Sequence, residues 1–259
     1  MKSVIRKNIL ALILPLVIVA AWIYATTFLQ IPAGILPGIP QVWSAGVEMI
    51  SSGQLQSDLL ISLVRVLKGF LVSAVLGVTL GSLIGMFRPV REMLLPLITV
   101  IRQIPMIAWI PLIILWCGIG ELSKVVIIVL AAFFPILVNT ESGIAGTPES
   151  YLEVARLYKL NPWKTFCKVY LPHALPQILV GLKLGLGVSW MAVVAAELIA
   201  AVSGIGYRMS NARSLMRPDI VIVCMIVVGL VGIGMDKVIG LIFGSFTPWK
   251  KLENREGRK

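Results

Sequence analysis

Hydrophobic positions along this chain run in long blocks separated by short clusters of charge. No Asp, Glu, Lys or Arg occurs from Asn8 to Val47, Gly69 to Phe87, Gln103 to Gly120, Val125 to Thr140, Leu184 to Ala196, or Ile220 to Met235. A helix rises about 1.5 Å per residue, so roughly 20 apolar residues cross a hydrocarbon core of about 30 Å. With their flanks, the windows predict six transmembrane helices, at 9–29, 61–87, 93–117, 125–141, 178–201 and 220–246, the fourth at the short limit. The expected fold class is an all-α polytopic membrane protein. Residues 1–259 read as a single transmembrane domain without internal repeats or a soluble appendage.

The connections differ in length, and that is informative. Between 30 and 60, Pro37 and Pro40 rule out one continuous helix, whereas Val42 to Ile50 fits a short amphipathic one. The turns at Arg88–Glu92 and Gly118–Lys124 are short, which makes the second, third and fourth spans spatial neighbours. The connection at about 142–177 far exceeds the roughly 2–8 residues usual between helices. Its Pro148, Pro162, Pro172 and Pro176 punctuation predicts two short helices. Pro96, Pro105 and Pro111 break or bend the third span, and irregular backbone of that kind is tolerated beside water or protein rather than lipid.

Composition agrees with the pattern. The chain is 58% hydrophobic, above the roughly 45–50% of soluble domains, and its mean hydropathy is +0.95. Of 23 basic residues, fourteen fall on the inside if the N-terminus is cytoplasmic, from Lys2, Arg6 and Lys7 to Lys259. Four fall outside: Lys124, Arg208, Arg213 and Arg217. The positive-inside rule therefore predicts a multi-pass protein of the bacterial-type inner (cytoplasmic) membrane with both termini cytoplasmic. Basic ends facing anionic lipid account for the net charge of +11 without nucleic acid. Lys2, Arg6 and Lys7 could open a secretory signal, but the apolar stretch is too long and lacks a small-residue cleavage site, which favours an uncleaved first span. Cys117, Cys167 and Cys224 stand apart, and the sole histidine, His173, lies in a loop, so no metal site is expected.

The long connection carries "EVARLYKLNPWKTFCKVYLP" from Glu153 to Pro172. It resembles the cytoplasmic coupling loop of binding-protein-dependent ABC importer permeases. That family has Glu, two small residues, a Gly four positions on, then an apolar-basic helix ending in Leu-Pro. Glu153, Ala155, Phe166, Leu171 and Pro172 fall in place. Lys159 replaces the glycine, and the expected compensation is a turn moved to Asn161-Pro162. Leu157, Leu160, Trp163, Phe166 and Val169 supply apolar knobs, with Arg156, Lys159, Lys164 and Lys168 as charges. Such a helix suits a groove on a partner, or a lipid surface. "IPMIAWIPLIILWCGIGELSK", "AAFFPILVNT", "MAVVAAELIAAVSGIGY", "LPGIP" and "SLVRVLKGF" are similar to the nitrate/sulfonate/taurine branch, in the same order over about 35–245.

The resemblance implies a permease that is not an enzyme, paired with a second, identical copy. It also implies two ATPase subunits and an extracytoplasmic solute-binding protein. No cofactor is expected in this chain, which lacks a G-x-x-x-x-G-K-[ST] loop; MgATP belongs to the partner ATPase. The branch points to aliphatic sulfonate or taurine as substrate, then nitrate, then a vitamin precursor. The coupling residues it implies are Glu153, Ala155, Lys159, Leu160, Asn161, Phe166, Leu171 and Pro172. Charges within spans are costly, so Arg102, Lys183 and Glu197, with the break at Pro105, are candidates for the translocation pathway, lined by the second to fifth spans. Ion pairing between helices is the alternative for each. Arg65 and Lys68 are expected to snorkel, and Asp236 and Lys237 to find partners on other spans. An intramembrane enzyme would need clustered His, Asp, Glu or Ser/Lys groups, and a channel needs rings of charge or a filter motif; neither is visible.

Overall fold

The computed structural model describes residues 2–29 and 31–246. The basic tail counted towards the inside (Lys250, Lys251, Arg255, Arg258 and Lys259) lies outside them. In chain order the helices are α1 (Lys2–Thr27), α2 (Ile39–Ser51), α3 (Gln54–Met86), α4 (Arg88–Ile101), α5 (Met106–Cys117) and α6 (Glu121–Ala145). After the loop come α7 (Glu149–Leu157), α8 (Pro162–Thr165), a π-helical turn (Phe166–Tyr170), α9 (Leu171–Ala200), α10 (Ile205–Ser214) and α11 (Pro218–Phe246). No strand occurs among the described residues.

Four helical stretches are long and apolar enough to cross a membrane: α3, α6, α8 through α9, and α11. A fifth crossing is α4 and α5 taken together, bent by 96° at their break. Ile13–Thr27 of α1 is a shorter apolar helix, so the count reaches six only with α1 included. Span limits shift too. The fourth span is 25 residues long, not marginal, because Glu121 and Lys124 belong to its first turn rather than to a loop.

The packing explains the bent pair. Small residues recur every fourth position on α3 (Gly69, Ser73, Gly77, Gly81 and Gly85), and without bulk they let α6 approach closely. Gly69 lies against Ile128, Gly77 against Ile136, Gly81 against Thr140 and Gly85 against Ile144. Both numbers rise together, so α3 and α6 are parallel. The chain between them must return to its starting side, which makes α4 and α5 one crossing. Its break falls at Pro105, the residue before α5, while Pro96 and Pro111 sit inside helices. α9 runs antiparallel to α6, with Gly181 against Pro135 and Asn139 and Gly185 against Ile136. Gly187, two residues on, faces open space.

These directions give the bundle two distinct ends. The loop end carries the close of α3, α7 and α8. At the far end α3 and α6 begin, α9 finishes, and α2 and α10 pack across them. Trp190 Nε1 donates to the Val228 carbonyl at 3.0 Å and Lys183 meets Asp236, so α11 descends antiparallel to α9 towards the loop end.

Candidate coupling surface and interior charges

At the loop end, α7 stops where a lysine adopts a left-handed conformation. Lys159 has φ +49°, the Lys159 N–H donates to the Arg156 carbonyl at 2.9 Å, and the Leu160 N–H reaches back to the Ala155 carbonyl at 3.0 Å. That six-to-one bond, with the Lys159–Arg156 bond inside it, is a Schellman cap whose left-handed residue is normally glycine. The turn has therefore not moved to Asn161-Pro162, as the sequence led us to expect. Asn161 instead caps α8: its backbone is extended, and its Oδ1 accepts from the Lys164 N–H at 2.8 Å. A non-glycine residue in this conformation costs about 1–2 kcal/mol.

Nor does the helix after Asn161 end at Leu171-Pro172. It continues from Pro162 to Ala200 as one 39-residue stretch. Proline within a helix lacks the N–H and crowds the carbonyl four residues back. A π turn just upstream makes room, and the Leu171 N–H donates to the Phe166 carbonyl, five residues back.

The loop residues sort into two faces. Ala155 is buried, and Phe166, Tyr170 and Leu171 pack on Ile144, Ala174 and Ile178 of the bundle. Leu160 turns inward as well, beside Met86, Phe87 and Leu152. Glu153 is exposed, together with Leu157 (80%), Tyr158 (77%) and Trp163 (71%). Tyr151 and Val154 extend this apolar patch. Of the knobs read from sequence, Leu157 and Trp163 face outward, whereas Leu160, Phe166 and Val169 are half-buried. Tyr151, Val154 and Tyr158 went unnoticed, although their spacing of three and four puts them on one helical face.

Beside this surface lies an open cavity of about 1090 Å³, lined by Arg88, Arg91, Glu92 and Glu149 together with apolar Met86 and Leu95. Arg91 Nε comes within 2.7 Å of Glu141 Oε1, a carboxylate that is 4% exposed, but its N–H is not aimed at the oxygen. Ser82, Thr140 and Thr147 also bury hydroxyls without a protein partner at this end.

The candidate pathway residues do not converge. Arg102 is exposed at the break after α4, and Pro105 lies just before α5. Lys183 Nζ pairs with Asp236 Oδ1 at 3.0 Å, joining α9 to α11. Glu197 is 1% exposed at the far end, where it accepts from Arg65 Nη1 (2.7 Å), Ser62 Oγ (2.9 Å) and the Gly206 N–H (3.0 Å). Arg65 does not snorkel. It is 2% exposed, and it also donates to Glu121 Oε2 (2.7 Å) and to the carbonyl and hydroxyl of Ser203. Asp58 extends the cluster by accepting from the Gly204 N–H and Arg208 Nε. Gly204 (φ +104°) can approach Glu197 only because it has no Cβ. This network ties α3, α6, α9 and α10 together. Outside the spans, the Arg217 guanidinium is pushed above its usual pKa by its hydrogen bond to Asp219.

Comparison with known proteins extends the picture. Residues 58–247 match the family described as "Binding-protein-dependent transport system inner membrane component". A Bacillus subtilis permease assigned by name to aliphatic sulfonates transport, SsuC, is 37% identical over 92% of this chain and 87% of its own. The taurine transport system permease protein TauC of Escherichia coli is 31% identical over 90% and 86%. In fold, the chain is similar to a subunit of the MetNI methionine ABC transporter in an inward-facing conformation (TM-score 0.60, 19% identity, 79% of this chain and 99% of that one).

Proposed function

This chain belongs to the binding-protein-dependent transport system inner membrane component family, and from that premise we propose that it imports a small sulfonate, aliphatic sulfonate or taurine before nitrate. It is a multi-pass permease subunit of an ATP-binding-cassette importer and not an enzyme. Its family works with ATPase subunits and a solute-binding protein. The observation that carries the mechanistic reading is the two-faced loop: one face is fixed to the bundle through Ala155, Phe166 and Leu171, and the other offers Leu157, Tyr158 and Trp163 around Glu153. That outward face is the ATPase contact. MgATP is bound by the partner, and its binding and hydrolysis shift the permease between inward- and outward-open states by preferring one of them. The substrate follows the sulfonate and taurine relatives.

The functional unit is a homodimer. α4 buries none of its residues within one chain and exposes Met93, Leu97 and Val100, a face that a second copy can cover. The cavity under Arg88 and Arg91 is then the inner vestibule of the pathway, and Arg102 and Pro105 border its route. Glu197 and Lys183, paired elsewhere, hold helices together.

Uptake of labelled taurine, an alkanesulfonate and nitrate into vesicles carrying permease, ATPase and binding protein tests the reading. Leu157→Asp is expected to lose ATPase association and uptake while remaining folded. Lys159→Gly is expected to keep uptake and to gain about 1 kcal/mol of stability by relieving the left-handed lysine. Normal ATPase binding and uptake in Leu157→Asp would refute the coupling surface.

In this reading both termini and the loop are cytoplasmic. Cysteine at exposed Ser51 should then react with an impermeant reagent from outside, and cysteine at exposed Leu157 only from inside. The opposite pattern inverts the topology.

A further inference from the structure

α2 divides into three lengthwise sectors, one more than an ordinary amphipathic helix has. At 100° per residue, Val42, Ala45, Gly46 and Met49 share one sector. The first, second and fourth are buried, and Gly46 lies 3.6 Å from Val223 of α11 once a Cβ is placed on it. Gln41, Ser44, Glu48 and Ser51 form a second, polar and exposed sector, from which Glu48 approaches Arg217 at 3.7 Å. Between them Ile39, Trp43, Val47 and Ile50 make a third sector, wholly apolar and solvent-facing within the chain: Trp43 is 75% exposed, Ile50 55% and Val47 50%. A helix packed against protein and water needs only the first two sectors. The third requires a low-dielectric neighbour, because leaving such side chains in water costs about 1.5–3 kcal/mol each relative to burial.

The surroundings identify that neighbour. The end of α1 and the start of α2 meet around one cavity, lined by Ile23, Leu36 and Ile39, and this region exposes more apolar side chains: Tyr24 (58%) and Phe28 (72%) stack at 5.2 Å and Ile35 is 74% exposed. Trp22 Nε1 donates to the Pro37 carbonyl at 2.9 Å, which fixes α2's entry to the end of α1. Exposed Trp, Tyr and Phe at the level where apolar helices end are the pattern of a membrane–water boundary. We propose that α2 is an interfacial helix, with its Trp43–Val47–Ile50 sector seated in the acyl and glycerol region of the far-end leaflet and its Gln41–Ser44–Glu48 sector in water. The partner is a phospholipid surface. The polar sector supplies no basic side chain, so binding there is driven by apolar burial rather than by headgroup charge.

The direction of transport and the substrate play no part in this assignment. The full transporter in nanodiscs, without ATP or substrate, tests it. The emission of Trp43 is taken as the difference between wild type and Trp43→Phe, since the chain holds seven tryptophans. Phosphatidylcholine brominated on the acyl carbons nearest the headgroup is expected to remove most of that difference signal, and aqueous iodide little of it. Loss to iodide but not to bromolipid overturns the assignment in favour of a water-facing surface. Insensitivity to both also overturns it, because a second copy or the binding protein then covers Trp43. Neither result touches the transport reading, which rests on uptake.

Discussion

Arg65→Ala is expected to yield almost no folded permease. The residue is 2% exposed, and its guanidinium donates to Glu197, Glu121 and Ser203 at once. Without it, Glu197 stays buried with only Ser62 and the Gly206 N–H as donors, and no cation beside it. Breaking a buried pair by removing one partner costs about 3–5 kcal/mol, a large share of a total stability of about 5–15 kcal/mol. Arg65→Lys keeps the charge, but one ammonium cannot reproduce the planar fork that reaches both carboxylates, so it should recover stability only in part. Glu197→Gln should be milder than Arg65→Ala, because Arg65 retains Glu121. Thermal melts of detergent-solubilised protein, followed by size exclusion, give the ranking directly. An unchanged melting temperature for Arg65→Ala would overturn the network's structural role. If Glu197→Gln instead left the melt intact and altered only the substrate concentration for half-maximal uptake, the carboxylate would belong to the pathway.

Gly81→Ala is the second large effect. A Cβ at this position would lie 2.7 Å from the Leu137 carbonyl oxygen and 2.8 Å from Thr140 Cβ. The first of these is backbone, which no rotamer change can move aside. α3 and α6 must then separate along a seam that Gly77 and Gly85 also need closed. Overpacking a close-packed interior costs about 1–3 kcal/mol and more where backbone must shift, so Gly81→Ala should melt well below wild type and Gly81→Leu should not assemble. Gly187→Ala is the matched control. Nothing lies within 4 Å of its added methyl, and the helix gains up to about 1 kcal/mol from the better former. Equal melts for Gly81→Ala and Gly187→Ala would remove the basis for the seam.

Periodicity made the apolar helices readable before any coordinates, because lipid demands long uncharged runs and the chain has little freedom to disguise them. The Gly77–Gly81–Gly85 stripe was readable for the same reason, since small residues four apart have few other uses in a bilayer. The far-end network was not. Arg65 and Glu197 are 132 positions apart, and nothing in one sequence says which distant helix end an arginine meets. Distance to a presumed membrane edge suggested snorkelling, whereas α3 starts earlier than the apolar window and carries Arg65 into the protein. The loop was legible in its motif but not in its backbone. A lysine at the glycine position suggested a displaced turn, yet the carbonyls ending α7 still needed capping, and Lys159 accepts the strain to do it. Which knobs face outward was also hidden, because one π turn shifts the phase between α8 and α9.

The unbroken helical path from Pro162 to Ala200 turns that phase into mechanics. Its 39 residues span about 58 Å, so one rod links the exposed Trp163 at the loop end to Glu197 beneath the far-end network. A rod pinned at one end by Arg65 and Ser62 behaves as a lever whose fulcrum lies there. A tilt too small to disturb the pivot sweeps the free end through several ångströms. A compliant joint along it is the π turn at Phe166–Tyr170, immediately beside the handle. Deleting one residue within that turn would convert it to regular α-helix, leaving Trp163 at nearly the same azimuth but removing the joint beside the handle, so that the grip could follow the lever only rigidly.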